Sequence, residues 1–203
     1  MSLEPEHPGR GLLVAIVGPS GAGKDTLIRL AMERLHGEPR FGLARRVVTR
    51  PPDGSSEDHD SLDEAAFERA EAAGAFCLTW RAHGLAYGLP REVAKAVAGG
   101  QVVLANLSRR SLAEAAQRFG RLAIVEITAP RAVLVSRIAA RGREPPAEIE
   151  ARLARQVDLE MPAGALSHLR IDNSGPPADG ADALVRHLLS FSGASGSACV
   201  SQG

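Results

Sequence analysis

The chain has 203 residues, of which 44% are apolar and 24% charged, a composition typical of a globular protein long enough for one sizeable core. Lys plus Arg equal Asp plus Glu at 24 each, and this balance argues against a nucleic-acid-binding protein, whose mark is a basic patch and a high pI. The first ten residues contain no apolar signal core and no apolar run reaches the ~18 residues of a membrane span, so we expect a cytoplasmic protein without a membrane partner.

The first predicted element is a strand over Leu12–Val17. Its sequence, LLVAIV, is a short continuous apolar run, typical of a strand that is buried on both faces of a parallel sheet. A glycine-rich segment follows at once. A helix is then predicted from about Lys24 to His36, with apolar residues on one stripe and Gly37 as the stop signal.

Strands and helices alternate along the rest of the chain. Further strands are predicted at Arg45–Thr49, Gln101–Asn106, Leu122–Thr128 and Leu169–Asp172. Helices are predicted behind the capping boxes Ser61-x-x-Glu64 and Ser111-x-x-Glu114, at Ala129–Arg141 with Pro130 in the first turn, at Ala147–Leu159 and at Ala178–Leu189. This alternation predicts an α/β fold with a doubly wound parallel sheet. We expect one domain over residues 11–191, with disordered ends at 1–10 and 192–203.

The segment GPSGAGKDT is predicted to bind the phosphates of ATP. A phosphate-binding loop reads G-x-x-x-x-G-K-[ST] between a strand and a helix, and the glycines and the lysine of this segment match that pattern. Backbone N–H groups and the positive end of the following helix form the anion site. The predicted ATP-binding residues are Gly18, Pro19, Ser20, Gly21, Ala22, Gly23, Lys24, Asp25 and Thr26.

Asp25 departs from the pattern, because a Ser or Thr whose hydroxyl binds Mg²⁺ is expected at this position. The nearest hydroxyl belongs to the next residue, Thr26. One interpretation is a retained loop in a protein that has lost its activity. A carboxylate is nevertheless a good magnesium ligand, so Asp25 can hold the metal directly or through water. We therefore predict a working loop with Asp25 and Thr26 as metal ligands, and Lys24 on the β- and γ-phosphates.

The segment RIAARGREPPAEIEARL, residues 137–153, carries a second set of cations. Arg137 and Arg141 are four residues apart at the end of a predicted helix, Gly142 breaks that helix, and Arg152 lies on the next one. Arginines on a glycine-hinged segment suit a lid that neutralises a transferring phosphoryl group. The alternative is an arginine-rich helix surface in solvent.

A third constellation, RRVVTRPPDGSSEDHD over residues 45–60, places cations before a carboxylate cluster. Arg46 and Arg50 flank a strand end, and a turn then leads to Asp58, His59 and Asp60. This pattern suits an acceptor with both phosphate and hydroxyl groups. A polar surface loop without a binding function would have the same sequence pattern. Metal binding by the Asp-His-Asp run is weakly supported, because adjacent residues on a strand point in opposite directions.

These three segments resemble the guanylate kinase-like family over roughly Leu12 to Asn173, and in detail they are similar to its ribose 1,5-bisphosphate phosphokinase branch. The branch resemblance lies in GPSGAGKDT, in ARRVVTRP followed by EDHDSL, and in WRAHGLAYGLP. It implies a P-loop NTPase-type fold, ATP with Mg²⁺, and a sugar bisphosphate that accepts the phosphoryl group on a phosphate. It also implies an acceptor segment at about 45–90 and a lid at about 137–152.

The departures from guanylate kinase bear on the acceptor. The pair Thr49-Arg50 matches that family's phosphate-binding element, and Tyr87 lies in the segment that reads guanine there. The glutamate that reads the guanine edge falls near Leu78, and the threonine after Tyr-Gly becomes Leu89. A buried purine edge without polar partners is costly, which disfavours guanine. A nucleoside-monophosphate kinase and an inactive interaction module stay open as alternatives, and the intact loop counts against the module.

Overall fold

The computed structural model describes residues 11–50, 59–82, 84–140 and 159–191. The strands in those ranges are β1 (Leu12–Val17), β2 (Phe41–Leu43), β3 (Arg46–Val48), β4 (His59–Ser61), β5 (Phe76–Ala82), β6 (Leu85–Pro90), β7 (Val102–Asn106), β8 (Leu122–Thr128) and β9 (Ala165–Asp172). The α-helices are α1 (Lys24–Arg34), α2 (Glu64–Ala72), α3 (Arg91–Ala98), α4 (Leu112–Phe119), α5 (Arg131–Ala139) and α6 (Pro177–Ser190). A 3₁₀ turn, Arg109–Ser111, precedes α4.

The main sheet has the order β2-β7-β1-β8-β9, and all of its pairs are parallel. Strand β1 lies in the middle, and its six residues are buried. The continuous apolar run therefore predicted both its position and its burial correctly, because a central parallel strand meets apolar layers on both faces.

Helices cover both faces of this sheet, so the predicted doubly wound α/β fold is confirmed. On one face, residues of α1, α5 and α6 pack with alternate residues of β1 around Leu27, Leu104 and Leu184. On the other face, α3 and α4 pack around Leu13, Val93 and Leu112. The even and odd residues of β1 separate into these two clusters, as the period of two in a strand requires.

A second, mixed sheet was not predicted from the sequence. It has the order β4-β3-β6-β5, in which β3 and β4 are parallel and β6 is antiparallel to both β3 and β5. The predicted strand Arg45–Thr49 thus belongs here, not to the main sheet. One face of this sheet carries a small core of Val47, Phe67 and Ala86 under α2, and its other face joins the α3–α4 side of the main core through Trp80 and Leu89.

Two predicted capping boxes are wrong. Ser61 pairs with Val48 in the second sheet, and the helix behind it is capped by Asp63, whose carboxylate accepts from Ala66 N at 2.7 Å. Ser111 makes no side-chain cap, because its hydroxyl donates to the Ser108 carbonyl at 2.9 Å in the 3₁₀ turn. In both places another residue provides the N-cap: Asp63 for α2, and Ser108 for the 3₁₀ turn before α4. The Ser-x-x-Glu pattern alone does not show which residue caps the helix.

Other boundaries differ by a few residues. Helix α1 ends at Arg34 rather than His36, α5 spans Arg131–Ala139 with Pro130 as its cap, and β9 begins four residues before the predicted start. The predicted helix Ala147–Leu159 and the two predicted disordered ends lie outside the described residues, apart from Leu159. Within the described part of the chain, no helix is long and apolar enough to cross a membrane.

Leucines in two strands of the main sheet give a matched test of this core. Leu104 is 0% exposed beside β1, whereas Leu166 on the outer strand β9 is 51% exposed. We expect Leu104→Ala to lower the free energy of unfolding by about 2–5 kcal/mol, since it removes buried methyl groups and leaves a cavity. Leu166→Ala should change it by less than about 0.5 kcal/mol. Urea unfolding of both variants measures this, and equal losses would contradict the core described above.

Candidate active site

The glycine-rich loop lies at the carboxyl edge of the main sheet, between β1 and α1. Strands β7 and β8 flank β1, so the chain departs from the centre of the sheet in two directions at this edge. Open α/β sheets bind their ligands in the crevice at such a point. The N-terminus of α1 also points its free N–H groups at this crevice, which favours an anion.

Three glycines give the loop a shape that other residues cannot adopt. Gly18, Gly21 and Gly23 have φ angles of 148°, 80° and 89°. A Cβ on Gly18 would lie 2.1 Å from the Ile127 carbonyl oxygen, and one on Gly21 would lie 2.9 Å from a side-chain carbon of Ile138. Positive φ and close packing therefore both require glycine here.

Side chains hold the carbonyl groups of the loop. Lys24 Nζ donates to Gly18 O at 2.8 Å and to Pro19 O at 3.1 Å, so its ammonium group lies over the loop. Asn173, which follows β9 and is 3% exposed, donates from Nδ2 to Ala22 O at 2.7 Å. These hydrogen bonds hold the loop by its carbonyl oxygens.

Asp25 faces the neighbouring strand. Its Oδ1 accepts from Asn106 Nδ2, the last residue of β7, at 3.0 Å, and both Asp25 and Thr26 are half-buried in the first turn of α1. No cluster of three or more His, Cys, Asp or Glu side chains suited to a metal occurs in the described ranges. Mg²⁺ does not need such a cluster, because it is usually held by one or two carboxylates, water and substrate phosphates. Asp25 and Thr26 beside the phosphate loop fit that requirement.

Arg46 connects the second sheet to this edge. It is 8% exposed and donates from Nη1 to the Asn106 carbonyl at 2.8 Å. Its guanidinium carbon lies 5.3 Å from the ring centre of Tyr87 and 5.9 Å from that of Trp80, and these two rings stack at 5.3 Å. Burial lowers the pKa of Arg46 to about 10, so the group stays charged at neutral pH.

The predicted acceptor residues divide between the two faces of the second sheet. His59 pairs with Arg46, and Tyr87 pairs with Val48, so these side chains share the face that joins the main core. Asp60 pairs with Val47 on the other face, where it is exposed and its Oδ1 lies 3.1 Å from Arg45 Nε. The structure therefore does not bring Asp60 together with Arg46 and Tyr87, because the strand alternates its side chains.

Thr49 and Arg50 lie just past the end of β3. The Thr49 hydroxyl accepts from Ala86 N at 2.8 Å, and Thr49 N donates to Ala86 O at 3.0 Å, so this pair fixes the strand end against β6. Arg50 is half-buried and its positive charge lowers the pKa of Arg46 further. Two cations are thus held close together at this end of the sheet.

The predicted lid is only partly described. Arg137 lies on α5, the helix whose Leu134 and Ile138 pack on Gly21 of the loop. Its Nη1 atom is buried and has no hydrogen-bond partner in the described ranges. Arg141 and Arg152, like Asp58 of the acceptor segment, lie outside the described residues.

Several proteins that share one name are similar to this chain over most of their length. The chain is 52% identical to the ribose 1,5-bisphosphate phosphokinase PhnN of Methylobacterium radiotolerans, with 88% of this chain and 97% of that protein covered. It is 48% identical to the protein of the same name from Brucella melitensis, over 88% and 92% of the two chains. For the Agrobacterium fabrum protein the identity is 42%, over 90% and 99%.

The chain belongs to the ribose 1,5-bisphosphate phosphokinase family. Its fold is that of guanylate kinase: the structure of that enzyme from Anaplasma phagocytophilum superposes with a TM-score of 0.64, at 16% identity, over 91% of this chain and 88% of the other. No established family profile matches the sequence. The relatives are named as kinases, and the interpretation of the loop around Asp25 as a working one stays a prediction.

Three contact residues were missed by the sequence analysis. Asn106 and Asn173 come at the ends of two predicted strands, Gln101–Asn106 and Leu169–Asp172, and Trp80 stacks on Tyr87. Polar residues at the carboxyl ends of parallel strands are a usable signal, since these ends line the crevice. Trp80 gave no comparable signal, because its role depends on a sheet that was not predicted.

Two glycines with the same φ provide a matched test of the loop. A Cβ on Gly23, at φ 89°, would lie 2.4 Å from Asn173 Nδ2, whereas Gly37, at φ 88°, has nothing within 4 Å. Both Ala variants should lose about 1–2 kcal/mol of stability from the left-handed backbone. Only Gly23→Ala should also weaken ADP binding, by about tenfold or more, since small displacements in such sites are costly. Calorimetric titration with ADP measures this, and equal affinities in the two variants would contradict the role of Asn173.

Proposed function

We propose that this protein transfers the γ-phosphoryl group of ATP to ribose 1,5-bisphosphate, which yields 5-phospho-α-D-ribose 1-diphosphate in phosphonate catabolism. The observation that carries the proposal is the glycine-built phosphate loop with Lys24 and Asp25, close to Arg46, whose pKa is in turn lowered by the charge of Arg50. One kinase domain over residues 11–191, a cytoplasmic location and small-molecule partners without nucleic acid or membrane belong to the same proposal.

On the nucleotide side, the loop N–H groups and Lys24 bind the phosphates. Asp25 and Thr26 would hold Mg²⁺, which supplies positive charge to the transferring group when it is bound. Arg137, Arg141 and Arg152 are proposed to act as the lid cations. The half-buried Arg137, with one nitrogen that lacks a partner in the described ranges, supports this for α5.

On the acceptor side, Arg50 is the proposed direct phosphate contact. Arg46 is nearly buried and donates to the Asn106 carbonyl, so we assign it to positioning the acceptor face and to its positive charge. Tyr87, His59 and Asp58 remain proposed acceptor contacts. Asp60 is removed from this set, because it pairs with Arg45 on the opposite face.

A phosphate acceptor also fits the chemistry of this face. The second pKa of a phosphate monoester is about 6, so the attacking oxygen is already anionic near neutrality and no strong general base is required. Catalysis then consists of positioning and charge neutralisation. Guanine is disfavoured as an acceptor base. The positions matched to the guanine-reading residues of guanylate kinase carry Leu78 and Leu89, which are 2% and 0% exposed in the apolar core and have no polar group to bind a purine edge.

The direct test is an assay of ADP release with two acceptors. We expect ribose 1,5-bisphosphate to give a kcat/KM at least about a hundredfold above that of GMP, since a site built for one set of polar groups rejects a substrate that lacks them. Identification of the diphosphate product by ³¹P NMR completes the experiment. Faster turnover of GMP would refute the proposed acceptor, and release of ADP with neither compound would refute the kinase activity.

Two arginines of the second sheet separate acceptor binding from general charge effects. Arg50→Ala should raise the KM for the acceptor about 10- to 100-fold, because a charge-assisted hydrogen bond is worth about 1.5–3 kcal/mol. The KM for ATP should change little. Arg81→Ala is the control, since Arg81 is half-exposed and pairs with Glu71 at 3.4 Å on the other face. A rise in the KM for ATP alone would mean that the two substrate sites are reversed.

A further inference from the structure

The hydrogen bond between Asp25 and Asn106 joins the residue that follows the loop lysine to the carboxyl end of β7, a strand next to β1. In those enzymes the ion is bound by the Ser or Thr that follows the loop lysine and by an Asp outside the loop. Here the residue after Lys24 is Asp25. The strands next to β1 end at Asn106 and Thr128, neither of which is acidic.

The described carboxylates near this edge leave Asp25 as the one available to a metal beside the loop. Glu126 on β8 is 7% exposed and lies 3.0 Å from Arg109, in a buried ion pair. Asp172 at the end of β9 is exposed, and its Oδ1 accepts from Ser174 N at 2.9 Å. Asn106, by contrast, points its amide directly at Asp25, with 3.0 Å between Nδ2 and Oδ1.

We propose that Asp25 and Asn106 are an exchanged pair, in which the loop residue supplies the negative charge for magnesium and the strand residue supplies the neutral polar partner. Asn106 orients Asp25 by donating to one carboxylate oxygen, which leaves the other oxygen for the ion. The inference rests on the proposed use of a nucleotide with Mg²⁺ and adds a residue, Asn106, and a rule for its pairing with position 25.

Electrostatics explain why the two residues must change together. Two carboxylates at this separation would repel each other and would favour protonation of one of them. Two neutral residues would leave the magnesium site without a protein charge. One carboxylate at either position keeps a single negative charge, so we expect a carboxylate at position 25 or at position 106, but not at both and not at neither.

Asn106 also has a second contact that side-chain substitutions leave in place. Its backbone carbonyl accepts from Arg46 Nη1 at 2.8 Å. Substitutions at position 106 change the partner of Asp25 but retain this acceptor for Arg46. Effects on metal binding can therefore be separated from effects on the second sheet.

The experiment measures binding of Mn²⁺ with ADP by electron paramagnetic resonance, which detects the loss of free Mn²⁺ and needs no turnover. Asp25→Ser should weaken Mn²⁺ binding to the ADP complex about 10- to 100-fold, a loss common for changes to metal ligands and their partners. The double variant Asp25→Ser with Asn106→Asp should recover about tenfold or more. The control, Asp25→Ser with Asn106→Ala, should recover nothing.

Metal-free ADP binding in EDTA should be nearly the same for all variants, which a merely structural role for Asn106 would not produce. Equal Mn²⁺ affinity of Asp25→Ser and the unmodified protein would overturn the inference. So would a double variant that binds no more tightly than the Ala control. If thermal unfolding shows that Asp25→Ser is not folded, the isosteric Asp25→Asn takes its place in the same series.

These outcomes are independent of the acceptor. A protein that shows the Mn²⁺ pattern but does not phosphorylate ribose 1,5-bisphosphate would refute the proposed acceptor and support the exchanged pair. A protein that phosphorylates this acceptor while the double variant fails to recover Mn²⁺ binding would support the function and refute the pair.

Discussion

A loop that binds phosphate through its backbone N–H groups has to be held by other means, and this constraint organises the carboxyl edge of the sheet. Lys24 and Asn173 donate to three loop carbonyls, at Gly18, Pro19 and Ala22. A carbonyl oxygen of β8 approaches Gly18, and a side-chain carbon of α5 approaches Gly21, so closely that a Cβ would collide. The loop is thus pre-organised by its acceptors and by packing, so ordering it on nucleotide binding costs little.

The buried guanidinium of Arg46 extends this order to the second sheet. A charge in a nearly dry environment is costly unless it is compensated, and the shift of its pKa to about 10 reflects that cost. The Asn106 carbonyl, the Tyr87 and Trp80 rings and the charge of Asp25 compensate it. Asn106 accepts from Arg46 through its carbonyl and donates to Asp25 through its amide, so one residue links the second sheet to the start of α1.

The sequence predicted those parts of the molecule that depend on local patterns. The run LLVAIV and the segment GPSGAGKDT defined β1, the loop and the start of α1, since burial on both faces and positive φ angles leave direct marks on composition. The second sheet was not predicted, because its pairing of β3 with β4 and β6 joins segments up to about forty residues apart. Buried Glu126 within β8 is likewise explained by partners from other elements, Arg109, His168 and Arg170, and not by its own strand.

The separation of charge across the second sheet finally bears on the kind of reaction that this edge can support. On the face that joins the core lie Arg46, His59 and Tyr87, while the carboxylate of Asp60 is directed to the other side with Arg45. A hydroxyl acceptor would need a general base to take its proton, and His59 is the group of that kind among these three. A phosphate acceptor brings its own negative charge, needs no proton removed, and is attracted by the cations that are held there. The period of two along β4 therefore leaves Arg46 on this face without Asp60, and its positive charge suits an acceptor that carries phosphate.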